Sequence, residues 1–174
     1  MLNNKNDSTI VLAIDPGYDR LGVAILKQEK GKQTLLFSDC ITTDKKLIHP
    51  RRLAIVGETI AELIQTWQPR AMAVEELFFS KNVKTALNVA QALGVITYEA
   101  AQAGLKIYFY KPVEVKIAVT GYGASDKTHV LSMVPRLIKM ENRKRHDDEY
   151  DAIAVGITHL ASYKQYGPAI STKN

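Results

Sequence analysis

Thr9-Ile10-Val11-Leu12-Ala13-Ile14-Asp15-Pro16-Gly17 is an apolar, β-branched run long enough for a fully buried strand, and it ends abruptly on an acid. Asp15 is therefore expected at the C-terminal tip of a central strand. In open sheets with helices on both faces, ligands collect along that edge. Pro16 brings no backbone donor and Gly17 permits positive φ, so the strand stops there and residues 20–26 read as a second strand returning as a hairpin. Asp15 either caps that turn or, held on a rigid strand, aims a metal ion.

Working outward, residues 33–41 make a third strand after the turn at Gly31, which completes an antiparallel meander. Pro50 suits a first helical turn, and Leu53, Val56, Ile60, Leu63, Ile64 and Trp67 follow at helical spacing, with Arg51, Arg52, Glu58, Glu62 and Gln65 on the other face. This helix ends at Gln68-Pro69. Residues 71–75, Ala-Met-Ala-Val-Glu, then read as a fourth strand running parallel to the first after a helical crossover, which sets Glu75 beside Asp15. In the loop that follows, Phe78 and Phe79 lie between an acid and Lys81, and they belong either to the core or against nucleobases.

From Lys84 to Ala103 the pattern is helical and apolar over most of its circumference. A helix of that kind buries two sides. One meets the sheet; the other, carrying Leu87, Ala90 and Gly94, is expected to meet a second copy of the chain. Gly104 ends the helix, residues 105–110 form a fifth strand, and a helix from Pro112 closes at Gly121. Ser125 is the expected N-cap of the next helix, with a kink or break at Pro135. The last helix begins near Asp147, and a tail follows Tyr163. The sheet is thus mixed and five-stranded with helices on both faces, an α/β fold. One domain spans 9–163, between a disordered tail at 1–8 and a flexible one at 164–174.

With 174 residues, 46% hydrophobic and 24% charged, the chain suits one globular domain, and no apolar run reaches membrane-spanning length. The polar N-terminus is unlike a signal peptide, and Cys40 is a single cysteine, so a cytoplasmic location is expected. The net charge is +5, and setting aside four clustered acids leaves +9 on the rest, an excess that suits a phosphate backbone.

Those four acids are Asp15, Glu75, Asp148 and Asp151, the last two being three residues apart on one helical face. Acids at a helix start also stabilise its dipole by about 0.3–1 kcal/mol without any further role. Two strand tips and a helix start presenting four carboxylates together form a set that can hold two divalent cations through oxygen alone. Like charges about 4 Å apart repel by roughly 4 kcal/mol at an effective dielectric of 20, so such a cluster calls for cations or protons. Oxygen ligands favour Mg²⁺ or Mn²⁺ over zinc.

Ile14-Asp15-Pro16-Gly17, Ala73-Val74-Glu75-Glu76-Leu77-Phe78, Lys81-Asn82, Ala86-Leu87, Lys116, Gly121-Tyr122-Gly123, Lys127, and Asp148 with Asp151-Ala152-Ile153-Ala154-Val155-Gly156-Ile157-Thr158-His159, in that order, resemble the RuvC family of crossover junction endodeoxyribonucleases, of ribonuclease H-like fold. The resemblance covers about residues 10–160 and implies a Mg²⁺-dependent homodimer with two ions per site, Mn²⁺ substituting. Such an enzyme resolves four-way (Holliday) junctions by paired symmetric nicks leaving 5′-phosphate and 3′-hydroxyl ends, in recombination and repair. The resemblance further implies RuvA and RuvB as partners. It makes Asp15, Glu75, Asp148 and Asp151 metal ligands, and adds Lys127 to the catalytic set. Phe78, Phe79, Lys81, Lys84, Lys116 and Lys127 become DNA contacts. Tyr18, Leu93 and Pro135 depart from the family pattern, and the spacing of His146 from Asp151 rules it out as a substitute ligand. A YqgF-like nuclease, a junction-binding module without cleavage and an actin-like ATPase fragment are the rival readings. The lysine-bearing 116–127 segment opposes the first, the complete carboxylate set the second, and the lack of a second glycine-rich phosphate loop the third.

Overall fold

The structure, a computed structural model, describes residues 8–77 and 83–166, with side chains omitted at 83–85 and 163–166. Its elements are β1 (Ser8–Asp15), β2 (Arg20–Glu29), β3 (Lys32–Thr42), α1 (His49–Trp67), β4 (Ala71–Glu75), α2 (Val83–Gln102), β5 (Lys106–Tyr110), α3 (Pro112–Thr120), α4 (Lys127–Leu137) and α5 (Asp147–Tyr166). The strands lie in the order β3-β2-β1-β4-β5. β1, β2 and β3 pair antiparallel, while β4 and β5 continue from β1 in parallel. This is the mixed sheet that the sequence pattern demands.

Alternation along the strands divides the core in two. Leu12 and Ile14 of β1, Val23 and Ile25 of β2, and Met72 and Val74 of β4 face one side, where Val56, Ile60 and Ile64 of α1 and Ile96 and Ala100 of α2 cover them. Val11, Ala13, Ala24, Leu26, Ala71 and Ala73 face the other, against α3, α4 and α5. Alanines predominate on this second face, so α5 can approach closely; a Cβ on Gly156 would lie 2.3 Å from a methyl of Leu26. α5 is accordingly the central helix, with Ala152 through Leu160 buried almost throughout.

Several local expectations need correction. The β2–β3 turn places both Lys30 and Gly31 at positive φ, which matches strand twist in a two-residue hairpin and extends β2 to Glu29. The N-cap of α4 is Asp126, whose carboxylate accepts the His129 N–H at 2.7 Å; Ser125 is buried instead, its Oγ bonded to Thr120 Oγ1 at 2.8 Å. Pro135 does not break α4, because it sits in the last turn, and Ile138 N–H still reaches the Val134 carbonyl. Leu93, a departure from the family pattern, packs against the core covered by α1 and α2. The last helix continues to Tyr166, beyond the boundary expected at Tyr163.

Candidate active site

Strand parity aims the first two acids. Asp15 lies two residues beyond Ala13, and Glu75 two beyond Ala73, so both project from the α5 face at the same end of the sheet. The parallel register that pairs Ile14 with Val74 makes their carboxylates neighbours. Gly22 is opposite Asp15 on β2, and a Cβ there would sit 1.9 Å from the Asp148 carbonyl oxygen and 3.1 Å from Asp15 Cβ. Only a glycine at this point lets the first turn of α5 rest on the sheet beside Asp15.

The electrostatics register this crowding. Burial, then the negative charges of Asp151, Glu75 and Asp148, hold the Asp15 carboxyl well above the ordinary carboxylate range. Burial and Asp151 push Glu75 up to about 7, against the opposing pull of Lys127 and Lys116. Asp151 is raised too, mainly by burial, although Lys127 lowers it. For Lys127, burial works against the charge, but its hydrogen bond to Asp151 and the nearby Asp147 and Asp15 outweigh it and raise the ammonium's pKa.

Two cations hold the helix acids. Lys127 Nζ, at the start of α4, lies 3.0 Å from Asp151 Oδ2 and 3.5 Å from Asp147 Oδ2. Arg20 Nε, at the start of β2, lies 3.1 Å from Asp148 Oδ2. Among the described residues, no three His, Cys, Asp or Glu side chains converge into a ready-made metal cage. The four carboxylates share one neighbourhood, with Asp148 and Asp151 turned toward these cations. A cavity of about 310 Å³ opens beside Asp148, lined by Gly17, Tyr18, Asp19, Arg20, Arg52, Asn88 and Val89.

The loop between β1 and β2 is braced from α1. Arg52, 7% exposed, donates to Asp19 Oδ1 at 2.6 Å and to Thr43 Oγ1, and its guanidinium stacks 3.8 Å from the Tyr18 ring centroid. The Tyr18 hydroxyl lies 2.6 Å from His49 Nδ1. Tyr18, a departure from the family pattern, is thus buried structure. His159 is likewise structural: it is buried, with Nδ1 2.8 Å from the Tyr110 hydroxyl.

The sequence reading therefore placed Asp15, Glu75, Asp148, Asp151 and Lys127 in what is one neighbourhood, with Lys116 close enough to act on Glu75. It missed Arg20 as the partner of Asp148 and Gly22 as the point of closest approach. Gly22 has the same strand parity as Ala24, and that was the available signal. Phe78, Phe79 and Lys81 lie outside the described residues, as does the side chain of Lys84. Leu87 is 58% exposed, and Ala90 and Gly94 follow it on the side of α2 away from Ala92, Ile96 and Ala100. A Cβ on Gly94 would touch nothing.

Residues 11–159 match the family model described as crossover junction endodeoxyribonuclease RuvC. The protein of that name from Moorella thermoacetica is 46% identical over 152 residues, covering 87% of this chain and 91% of that protein. Its counterpart from Halothermothrix orenii is 41% identical over 155 residues, covering 89% and 94%. Among solved structures, Thermus thermophilus RuvC in complex with Holliday junction substrate superposes with a TM-score of 0.84 at 30% identity, over 90% of this chain and 96% of that one. The sheet and its flanking helices are thus those of the ribonuclease H-like resolvases, and the chain belongs to the RuvC family.

Proposed function

We propose that this protein is a divalent-metal-dependent endonuclease that resolves four-way DNA junctions by paired nicks on symmetry-related strands, leaving 5′-phosphate and 3′-hydroxyl ends. The observation that carries this reading is the gathering of Asp15, Glu75, Asp148 and Asp151 at one end of the sheet, on the face seated against α5. The donor set fits Mg²⁺, with Mn²⁺ as substitute, because it is all oxygen and because burial and mutual repulsion make the acids costly to ionise without a counter-charge. Two bound ions would supply the Lewis acidity and charge neutralisation that phosphodiester hydrolysis requires.

The chain's own residues do the rest. Asp15 and Glu75 give the site two fixed carboxylates because strands cannot swing, whereas Asp148 and Asp151 approach from α5. Lys127, already at the acids, brings a positive charge to a non-bridging phosphate oxygen, and Lys116 lies on the Glu75 side. Phe78, Phe79, Lys81 and Lys84 belong to the stretch following β4 and are assigned to DNA, the aromatics to unstacked bases at the crossover. Leu87, Ala90 and Gly94 form the homodimer face, so that two sites meet a two-fold symmetric substrate. RuvA and RuvB remain the expected partners in recombination and repair, and a cytoplasmic location is the expected setting. Among the described residues no helix is long and apolar enough to cross a membrane.

The test is a synthetic four-way junction with each strand labelled in turn. Symmetric nicks in Mg²⁺, their religation by DNA ligase, and their loss in chelator or in Asp15→Asn with junction binding retained are the expected results. Binding without nicks in Mg²⁺ would make the protein a junction-binding module.

A further inference from the structure

Glu149 stands between Asp148 and Asp151 in the chain yet points away from them into the protein, where it is 1% exposed. Its Oε1 accepts from Ser38 Oγ at 2.6 Å and from Arg145 Nε at 3.0 Å, and its Oε2 accepts from Arg143 Nη1 at 3.2 Å. Arg143 Nη2 also bonds Glu149 and donates to the Ser38 carbonyl at 2.8 Å. Arg145 Nη1 donates to the Glu141 carbonyl at 2.7 Å. One carboxylate thus joins the edge strand β3, the loop before α5 and the first turn of α5.

Ser38 pairs with Ala24 of β2, two positions from Gly22, and so lies on the same face of the sheet as the acids. The first turn of α5 is accordingly fixed at two points. At Gly22 the Asp148 backbone rests on β2, and at Ser38 the Glu149 side chain is tied to β3. The backbone on either side of Glu149 carries the two aspartates. The rotation of that turn about the helix axis sets where their carboxylates fall relative to Asp15.

We infer that Glu149, tied to Ser38 and balanced by Arg143 and Arg145, is a positioning residue that sets Asp148 and Asp151 against Asp15 and so determines how tightly the site holds a divalent cation. This rests on the metal-dependent reading above. A buried carboxylate with two guanidinium partners in the same place has a purely structural explanation as well, and the two differ in what they predict. A structural role changes stability alone, whereas a positioning role changes cation affinity even where stability survives.

Ser38→Ala separates them, since it cuts the tie to the sheet while leaving Glu149 its two arginines. In this variant the expected outcome is a melting temperature in chelator within a few degrees of wild type and unchanged junction binding in chelator. Mn²⁺ affinity by titration calorimetry is expected to weaken on the order of tenfold, with a matching rise in the Mg²⁺ concentration for half-maximal cleavage. Should Ser38→Ala not fold, Glu149→Asp, which keeps the negative charge for Arg143 and Arg145 but is one methylene too short to hold Ser38 Oγ, is measured the same way and is expected to weaken Mn²⁺ binding by a similar factor. The inference is overturned if a folded Ser38→Ala, or Glu149→Asp in its place, binds Mn²⁺ as wild type does. A wild-type protein that binds no Mn²⁺ would overturn both this inference and the metal-dependent reading. Normal wild-type nicking with unaltered Mn²⁺ binding in Ser38→Ala would overturn the inference alone.

Discussion

At the scale of single residues, the site and the core pull stability in opposite directions with pH. Asp15 and Glu75 are raised, Glu75 to about 7, by burial and by neighbouring acids. A raised acid contributes stability that is fully present below its unfolded value and is lost as pH rises through its folded value. Without divalent cations the melting temperature should therefore decline between about pH 4 and about pH 7 through Glu75, with Asp15 acting in the same direction. Asp15→Asn should melt higher than wild type near pH 8 in chelator, by scanning calorimetry, and a lower melting temperature would contradict this electrostatic account. His159, depressed to about 4 by burial, has the reverse sign. Its contribution is present above the unfolded value near 6.5 and is lost as pH falls toward 4, a span worth about 3 kcal/mol. In Asp15→Asn the acid side of the stability profile should steepen as this histidine becomes the larger influence. Gly22→Ala acts sterically: with 1.9 Å to the Asp148 carbonyl, the added methyl moves the backbone. Cleavage should drop about a hundredfold, and urea denaturation should register a loss of about 1–3 kcal/mol.

At the scale of elements, the sequence pattern located each helix and strand among the described residues, and chemistry between elements decided what it left open. Ser125 and Asp126 are equally good caps by residue type. Asp126 takes the role because Thr120 engages the Ser125 hydroxyl. Leu93 shares a helical face with Ile96 and Ala100, three and seven residues further on, and packs inward with them. The Arg20 to Asp148 pair was beyond sequence reading, because it joins segments more than a hundred residues apart with no shared period. The outward face of α2 is the element with the most direct test. Leu87→Glu should yield a monomer in sedimentation velocity at micromolar concentration, and junctions should then receive unpaired nicks, if any. A dimer that survives this change would place the subunit contact elsewhere.

For the whole molecule, fold and family were legible because a parallel return to β1 leaves two acid-tipped strands side by side, and the final helix supplies two more acids in register. What stayed hidden was which face those tips use. The alanines at 13, 24 and 73 answer that, but they acquire meaning only once α5 is known to lie on them. On the proposed function the basic excess away from the acids meets phosphate, so junction affinity in chelator should fall steeply with salt. The log–log slope is expected to shrink by about one on replacing Lys116 with Ala if that lysine touches the backbone.

The two sides of the sheet also differ in what change they can absorb. Beneath α1 and α2 the layer consists of long, branched side chains that can repack around a lost or gained methylene. Beneath α5 alanines predominate and the helix lies close, so enlargement at Ala13, Ala24 or Ala73 should lift the helix and carry its aspartates off with it. Variants of this protein that stay folded but fall silent should therefore cluster on one side of a single sheet, at positions with no chemistry of their own.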